Sequence, residues 1–242
     1  MLFSLISAIL LILAFPNFNL SYLVFVGFVP LFFALHNKSP KKAFFISYVC
    51  GFLFYLGTLY WLYHVTIVGL IVLCLYLAIY FGIFGVFTCY VLRVTGYRFL
   101  FLPAIWISLE YLQAHLFTGF GWALLGYSQY KNLPFIQIAD FSGVYGVSFV
   151  IMMLNVCVWM FIAEIRRQKT EIGGRKNLFS VFCLLSSVAL ILIIVYSYGF
   201  FRLHSGKDSY DKIKVSVIQG NIPQDLKWNP DAADEILRKY IV

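Results

Sequence analysis

Seven long apolar stretches follow one another along the chain, and short polar or basic loops separate them. A bilayer core about 30 Å thick needs about 20 apolar residues in a helix that rises about 1.5 Å per residue. The pattern therefore predicts a mainly α-helical, polytopic membrane bundle of seven spans. The predicted spans are residues 2–15, 19–35, 43–63, 66–92, 99–117, 135–163 and 178–201.

The residues after the last span follow a different pattern. From Ile213 to Val217 apolar and polar residues alternate, which is the period of a strand with one buried face. A helix is expected to start next, with Asn229 or Asp231 as its cap. One strand and one helix, about 30 residues, cannot bury a core of their own, so we expect the incomplete start of a soluble domain. The predicted domains are the bundle at 1–202, a polar linker at 203–212 and the incomplete domain at 213–242.

The composition supports a membrane protein. Hydrophobic residues make up 62% of the 242 residues and charged residues only 12%, with a mean hydropathy of +0.88. A soluble domain carries about 25% charged residues, so this class is excluded. The net charge of +8 could suggest nucleic-acid binding, but the basic residues lie in short loops rather than along one stripe. We therefore expect the lipid bilayer, and no nucleic acid, as a partner.

The basic residues also predict the orientation of the bundle. Lys and Arg accumulate in the cytoplasmic loops of membrane proteins. Ten of them lie in loops on one predicted side and only Lys131 lies in a loop on the other. This asymmetry predicts a cytoplasmic N-terminus and an extracytoplasmic segment after the seventh span. The ten are Lys38, Lys41, Lys42, Arg93, Arg98, Arg166, Arg167, Lys169, Arg175 and Lys176.

Metal, cofactor and catalytic motifs are not evident in the sequence. The cysteines lie inside apolar stretches without CxxC spacing, where a thiol is inert. The histidines are scattered without the spacing of metal ligands. We predict no metal site, no cofactor and no catalytic residue in this chain. The residues concerned are Cys50, Cys74, Cys89, Cys157, Cys183, His36, His64, His115 and His204.

Two acidic residues inside predicted spans are candidates for a functional site, because ionisable residues are costly in a membrane. Glu110 and Asp140 are expected at similar depth, about 10 Å or less below the outer surface. The loop between them, residues 117–130, is rich in aromatic and amide side chains. One interpretation is a polar pocket that opens to the outer leaflet. The other is structural, with Glu110 bonded to neighbouring helices and Asp140 in an interfacial aromatic belt; the pattern alone favours neither.

Five motifs resemble those of apolipoprotein N-acyltransferases, in family order and spacing from residue 13 to residue 228. The last of them joins the bundle to the first strand of a nitrilase-like αββα domain in that family. The motifs are Leu13-Ala-Phe-Pro-Asn-Phe18, Glu110 with Phe117-Thr-Gly-Phe-Gly-Trp122, Gly126-Tyr-Ser-Gln129, Gly143-Val-Tyr-Gly-Val-Ser-Phe149 and Val217-Ile-Gln-Gly-Asn-Ile-Pro-Gln-Asp-Leu-Lys-Trp228.

The resemblance implies a multi-pass enzyme of the bacterial inner membrane with a periplasmic nitrilase-like domain. Such enzymes move an acyl chain from a phospholipid to the N-terminal diacylglyceryl-cysteine of an apolipoprotein, through a cysteine thioester. A Glu acts as general base and a Lys stabilises the oxyanion. The family's three catalytic residues lie beyond residue 242, so the resemblance implies that this chain alone is inactive. It implies substrate-binding roles for Trp228, Glu110, Trp122, Tyr127 and Gln129.

The chain departs from the family pattern at two positions. Gln113 replaces an Arg one turn after the membrane Glu, and Gly121 replaces a Pro. Without the Arg, we expect Glu110 to accept hydrogen bonds from the amide of Gln113 or from Tyr127 or Gln129, and so to hold the loop.

Two alternatives to the enzyme remain from other functional classes. The bundle could be a non-catalytic lipid-binding or scaffold protein that the final segment only caps. A transporter is disfavoured, because inverted repeats and paired helix interruptions are not evident. A downstream reading frame that encodes an external cysteine would favour the enzyme.

Overall fold

The computed structural model describes residues 1–93, 98–170, 178–205, 214–227 and 229–241. The chain divides into two compact units, Met1–Ser205 and Gly206–Val242. The α-helices of the first unit are α1 (Leu2–Ala14), α2 (Val29–Leu35), α3 (Pro40–Thr58), α4 (Ile67–Val91), α5 (Arg98–His115), α6 (Leu133–Ile136), α7 (Ala139–Thr170) and α8 (Leu178–Ser205). Short 3-10 helices cover Ser21–Phe25, Tyr60–His64 and Leu125–Gln129.

Three helical segments within the described residues are long and apolar enough to cross a membrane: Ile67–Val91, Ala139–Arg167 and Ser186–Ser205. Apolar membrane helices are therefore confirmed, whereas the full set of seven spans stays a prediction. Helix α1 has 13 residues and rises only about 20 Å, which is short for a bilayer core.

The predicted span at 19–35 is interrupted. It forms a 3-10 helix, Ser21–Phe25, and then α2, Val29–Leu35, instead of one helix. The buried side chain of Asn155 on α7 bonds the backbone at the break. Phe28 N–H donates to Asn155 Oδ1 at 2.8 Å, and Asn155 Nδ2 donates to Val24 O at 2.8 Å. Broken backbone is tolerated at membrane depth only where protein groups satisfy it, and Asn155 meets that condition.

Helix α7 also contains an irregular residue. Gly143 has φ 61° and ψ −169°, which lies outside the helical region and favours glycine. A Cβ atom built on Gly143 would meet nothing within 4 Å. The backbone conformation, and not a lack of space, therefore requires glycine where α7 bends.

The bundle core is aromatic and surrounds Trp106 of α5. The Trp106 ring lies 4.7 Å from Phe28 and 4.9 Å from both Phe81 and Phe84, all in edge-to-face geometry. Such edge-to-face pairs stabilise a fold by more than the burial of their apolar area alone. Trp106 lies one turn before Glu110, so this cluster fixes the part of α5 that carries the candidate site.

The loops predicted to be cytoplasmic meet at one end of the bundle. Arg93 Nη2 donates to Lys38 O at 3.0 Å, which joins the loop after α4 to the loop before α3. The Arg166 guanidinium lies 4.3 Å from the Phe33 ring. We call this the basic end, and the end with loop 117–130 the loop end.

In the second unit, residues 214–223 form neither helix nor strand. Val215 and Val217, expected on the buried face of a strand, are 78% and 89% exposed. A strand needs a partner for its backbone hydrogen bonds, and the described residues of this unit provide none. The predicted helix start is confirmed: Asn229 Oδ1 accepts from Asp231 N–H at 3.0 Å. The helices of this unit are α9 (Gln224–Lys227), a 3-10 turn (Pro230–Ala232) and α10 (Ala233–Ile241).

Candidate functional site

Loop 117–130 follows a tightly constrained path at the loop end. Phe117, Gly119 and Ala123 have φ of 57°, 69° and 59°, which lie in the left-handed region. At Gly119 a Cβ atom would also collide with the carbonyl oxygen of Ala114, so both conformation and space require glycine there. The loop then forms the 3-10 helix Leu125–Gln129. Since left-handed non-glycine residues are strained, other contacts must hold the loop.

Glu110 provides the first of these contacts. Its side chain is buried, and Oε1 accepts a hydrogen bond of 2.6 Å from Leu125 N–H at the start of the 3-10 helix. Gly126 N–H donates to Ser148 Oγ on α7 at 2.9 Å. Glu110 Oε2 is buried and makes no hydrogen bond within the described residues. The Ser148 hydroxyl and the Trp106 indole lie beside the carboxyl group.

Gln113 provides the second contact. Tyr55 O–H donates to Gln113 Oε1 at 2.6 Å. Gln113 Nε2 in turn donates to the carbonyl oxygens of Phe120 at 3.2 Å and Trp122 at 3.4 Å. The residue that replaces the family's Arg therefore fixes the first half of the loop, and Glu110 fixes the second half.

The expected partners of Glu110 are corrected by this geometry. Glu110 accepts its hydrogen bond from the backbone of Leu125 and not from Gln113, Tyr127 or Gln129. The reason is geometric, because Leu125 N–H is a free donor at the start of the 3-10 helix and lies within hydrogen-bond distance of Glu110 Oε1. The contact between Glu110 and the loop is confirmed, but it is made to main chain.

A cleft of about 450 Å³ lies between the loop and the ends of α1 and α3. The exposed ring of Trp122 stacks on Trp61, with 4.9 Å between ring centres and 27° between ring planes. The lining is mostly apolar and includes four aromatic side chains and a few polar groups, and such walls suit an amphiphilic ligand. Residues that line the cleft include Phe15, Asn17, Thr58, Trp61, Trp122 and Tyr127.

The predicted site residues separate in the structure. Trp122 and Tyr127 line the cleft, whereas Glu110 and Gln129 are buried and do not line it. Gln129 is fully buried, donates to Ser21 O at 2.8 Å and accepts from Asn132 at 3.1 Å. These bonds give it a structural position within the protein. Trp228 lies outside the described residues.

Asp140 lies in an ion pair. Its Oδ2 is 2.8 Å from Arg202 Nε and accepts a 2.6 Å hydrogen bond from Tyr198 O–H. The pair joins the start of α7 to the last turns of α8. This arrangement favours the structural interpretation of Asp140.

Sequence reasoning missed Trp61, Thr58 and Asn17 as parts of the cleft. The aromatic run around Trp61, at the outer end of the third predicted span, was the available signal. Asn17 has φ 90° in the turn after α1, where Asn is favoured over most residues.

The described residues contain no group of three or more His, Cys, Asp or Glu side chains arranged for a metal ion. Four cysteines are buried, and Cys183 is exposed on the apolar helix α8. None of the five lines the cleft.

Comparison with known proteins identifies relatives over nearly the whole chain. The family model of the apolipoprotein N-acyltransferase N-terminal domain matches residues 7–157. Apolipoprotein N-acyltransferase of Geobacter metallireducens is 38% identical over 99% of this chain and 46% of its own length. The enzyme of Coxiella burnetii is 28% identical over 98% of this chain and 49% of its own length.

The chain thus spans about half the length of these relatives. The matched region runs from α1 into α7 and includes Glu110, Gln113 and the cleft residues of loop 117–130. On this match, the chain belongs to the apolipoprotein N-acyltransferase family, in the region of that family's N-terminal domain.

Proposed function

We propose that this chain forms the membrane part of an apolipoprotein N-acyltransferase of the bacterial inner membrane, and that the cleft admits acyl chains of its lipid substrates. The observation that carries the proposal is the cleft with aromatic side chains that loop 117–130 helps to line. Glu110 and Gln113 hold this loop in place through hydrogen bonds to its backbone. The donor would be a phospholipid and the acceptor an apolipoprotein. Both carry acyl chains, so an entrance among aromatic side chains at the membrane surface suits both.

In this proposal the bundle positions substrates and the nitrilase-like domain that begins near residue 213 performs the transfer. The stacked pair Trp61 and Trp122 forms one wall against which an acyl chain lies, and the Tyr127 side chain lines the same cleft. A rigid wall lowers the entropy cost of holding a flexible lipid. Acyl transfer through a cysteine thioester needs groups that this cleft does not contain, since no cysteine lines it.

A chimeric enzyme tests the proposal. Residues 1–212 of this chain replace the corresponding part of the Geobacter metallireducens relative, whose sequence is 38% identical to this chain. We expect the chimera to transfer labelled acyl chains from phospholipid to a diacylated lipopeptide. Residues 1–242 alone should transfer none and should carry no hydroxylamine-sensitive label on any cysteine. Mass spectrometry of the lipopeptide measures the product.

The unmodified relative is the positive control. A chimera that folds and inserts normally but transfers nothing would contradict the proposal, and would favour a lipid-binding or scaffold role. Label on a cysteine of residues 1–242 would contradict the assignment of the chemistry to the nitrilase-like domain.

The proposed topology has seven spans, with the basic end in the cytoplasm and the cleft in the periplasm. The contact between Arg93 and Lys38 supports it, because it places two of the basic loops at one end. A phosphatase that is active only outside the cytoplasm should be active when fused after residue 205 and inactive when fused after residue 170. The reverse pattern would invert the orientation.

A further inference from the structure

A second cavity, of about 700 Å³, lies at the basic end where the N-terminal part of α1 meets α2 and α3. Three lysines, Lys38, Lys41 and Lys42, line it together with apolar side chains that include Phe3 and Phe45. It is separated from the cleft by the length of the bundle, because α1 and α3 contribute opposite ends to the two cavities. It is therefore distinct from the proposed entrance for substrates.

No carboxylate of the described residues balances the charge of this cavity. All three lysines are exposed and make no ion pair within the described residues. Residues 1–205 have three described carboxylates, and none lines the cavity. Glu110 and Asp140 belong to the loop end, and Glu164 pairs with Arg167 at 3.3 Å. An occupant with negative charge would therefore meet three lysines and no competing carboxylate among the described lining residues.

The loop that carries the first lysine is held in place. Arg93 Nη2 donates to the carbonyl oxygen of Lys38 at 3.0 Å, and Asn37 before it has φ 58°. Lys41 and Lys42 lie in the first turn of α3 after Pro40, whose ring fixes the start of that helix. The three amines are therefore carried by an ordered loop and a helix start, which lowers the entropy cost of binding an anion.

The apolar side chains determine which anion fits. Phe3 and Phe45 are 45% and 59% exposed although they line the cavity beside the lysines. A small soluble anion would leave these surfaces uncovered. An amphiphile with an anionic headgroup and acyl chains would cover both, with the lysine stems along its glycerol region and the amines at its phosphate.

We propose that this cavity binds one anionic glycerophospholipid of the cytoplasmic leaflet. The headgroup lies among Lys38, Lys41 and Lys42, and an acyl chain lies along Phe3 and Phe45. The bound lipid joins α1 to α3 at the basic end. It is a resident lipid and takes no part in acyl transfer.

Native mass spectrometry of the purified chain in detergent tests the proposal. The chain is titrated with phosphatidylglycerol and, separately, with phosphatidylcholine of the same acyl chains. We expect one phosphatidylglycerol to bind with clear preference, and K41Q/K42Q to weaken that binding about 30-fold. This corresponds to about 1 kcal/mol per lysine near a headgroup, at about 1.4 kcal/mol for each tenfold change. Lipid bound elsewhere on the chain persists in K41Q/K42Q. The difference in phosphatidylglycerol binding between K41Q/K42Q and the unchanged chain therefore reports on this cavity alone.

Two matched variants complete the test. K41R/K42R keeps both charges and should bind as the unchanged chain does. K131Q/R167Q removes two charges outside the cavity and should weaken binding less than twofold. If K131Q/R167Q lost as much phosphatidylglycerol binding as K41Q/K42Q, the effect would be one of general charge, and the proposal would be overturned. Unchanged phosphatidylglycerol binding in K41Q/K42Q would overturn it too. Complete competition by millimolar glycerol phosphate would reveal a site for a soluble anion and would overturn it as well.

Discussion

Replacement of Asn155 by leucine should destabilise the bundle by about 3 kcal/mol. The leucine has a similar volume but leaves Phe28 N–H without a partner, and a buried unpaired group costs about 1 to 3 kcal/mol. It also removes the 2.8 Å hydrogen bond to Val24 O, which keeps the 3.4 Å bond from Gly27 N–H. Phe28 N–H cannot form a regular helix bond without rearrangement of the break before α2. Reversible unfolding in mixed micelles, followed by far-UV circular dichroism, measures the free energy of unfolding.

Asn132→Leu is the matched control for this prediction. Its Nδ2 donates to the side chains of Gln129 and Tyr196 in a partly buried position, and these side chains can find other partners. We expect a loss of about 1 kcal/mol or less, typical of a single hydrogen bond between side chains in a membrane protein. If Asn155→Leu lowered the free energy of unfolding no more than the control does, Asn155 would not support the break before α2.

The interrupted second span shows the limit of sequence patterns for this fold. Hydropathy predicted a span at 66–92 and the structure has α4 at Ile67–Val91, because a single long apolar helix satisfies its own backbone. The break before α2 depends on Asn155, which lies 127 residues after Phe28. A pattern read over one turn or one span contains no information about a partner so distant in the chain.

The position of the candidate site was predictable from the sequence, but its individual contacts were not. The position of Glu110 in an apolar stretch indicated a buried carboxyl group near loop 117–130, and both features are present. Its partner is a backbone N–H, which every residue but proline offers, so the sequence could not single out Leu125. Tyr127 and Gln129 are two residues apart in one motif, yet Tyr127 lines the cleft and Gln129 is buried against Ser21. Tertiary contacts alone separate these two residues.

The hydrogen bond from Leu125 to Glu110 should control the order of the second half of the loop. Glu110→Ala removes the acceptor and leaves Leu125 N–H buried without a partner, which costs about 2 kcal/mol. We therefore expect amide exchange at Leu125 to become about 30-fold faster, at about 1.4 kcal/mol for each tenfold change. Glu110→Gln keeps an oxygen at the position of Oε1 and should exchange almost as slowly as the unchanged chain. Hydrogen–deuterium exchange of peptides from residues 117–130 measures both.

Gln113→Ala is the control that separates the two contacts of the loop. It removes the bonds to the carbonyl oxygens of Phe120 and Trp122 but leaves the acceptor of Leu125 N–H in place. Exchange at Leu125 should therefore stay slow in Gln113→Ala. In the chimeric enzyme, Glu110→Gln should keep most of the transfer activity, whereas Glu110→Ala should lose activity together with loop order. If Gln were as damaging as Ala while the fold stayed intact, the negative charge of Glu110 would be required, and its role would extend beyond holding the loop.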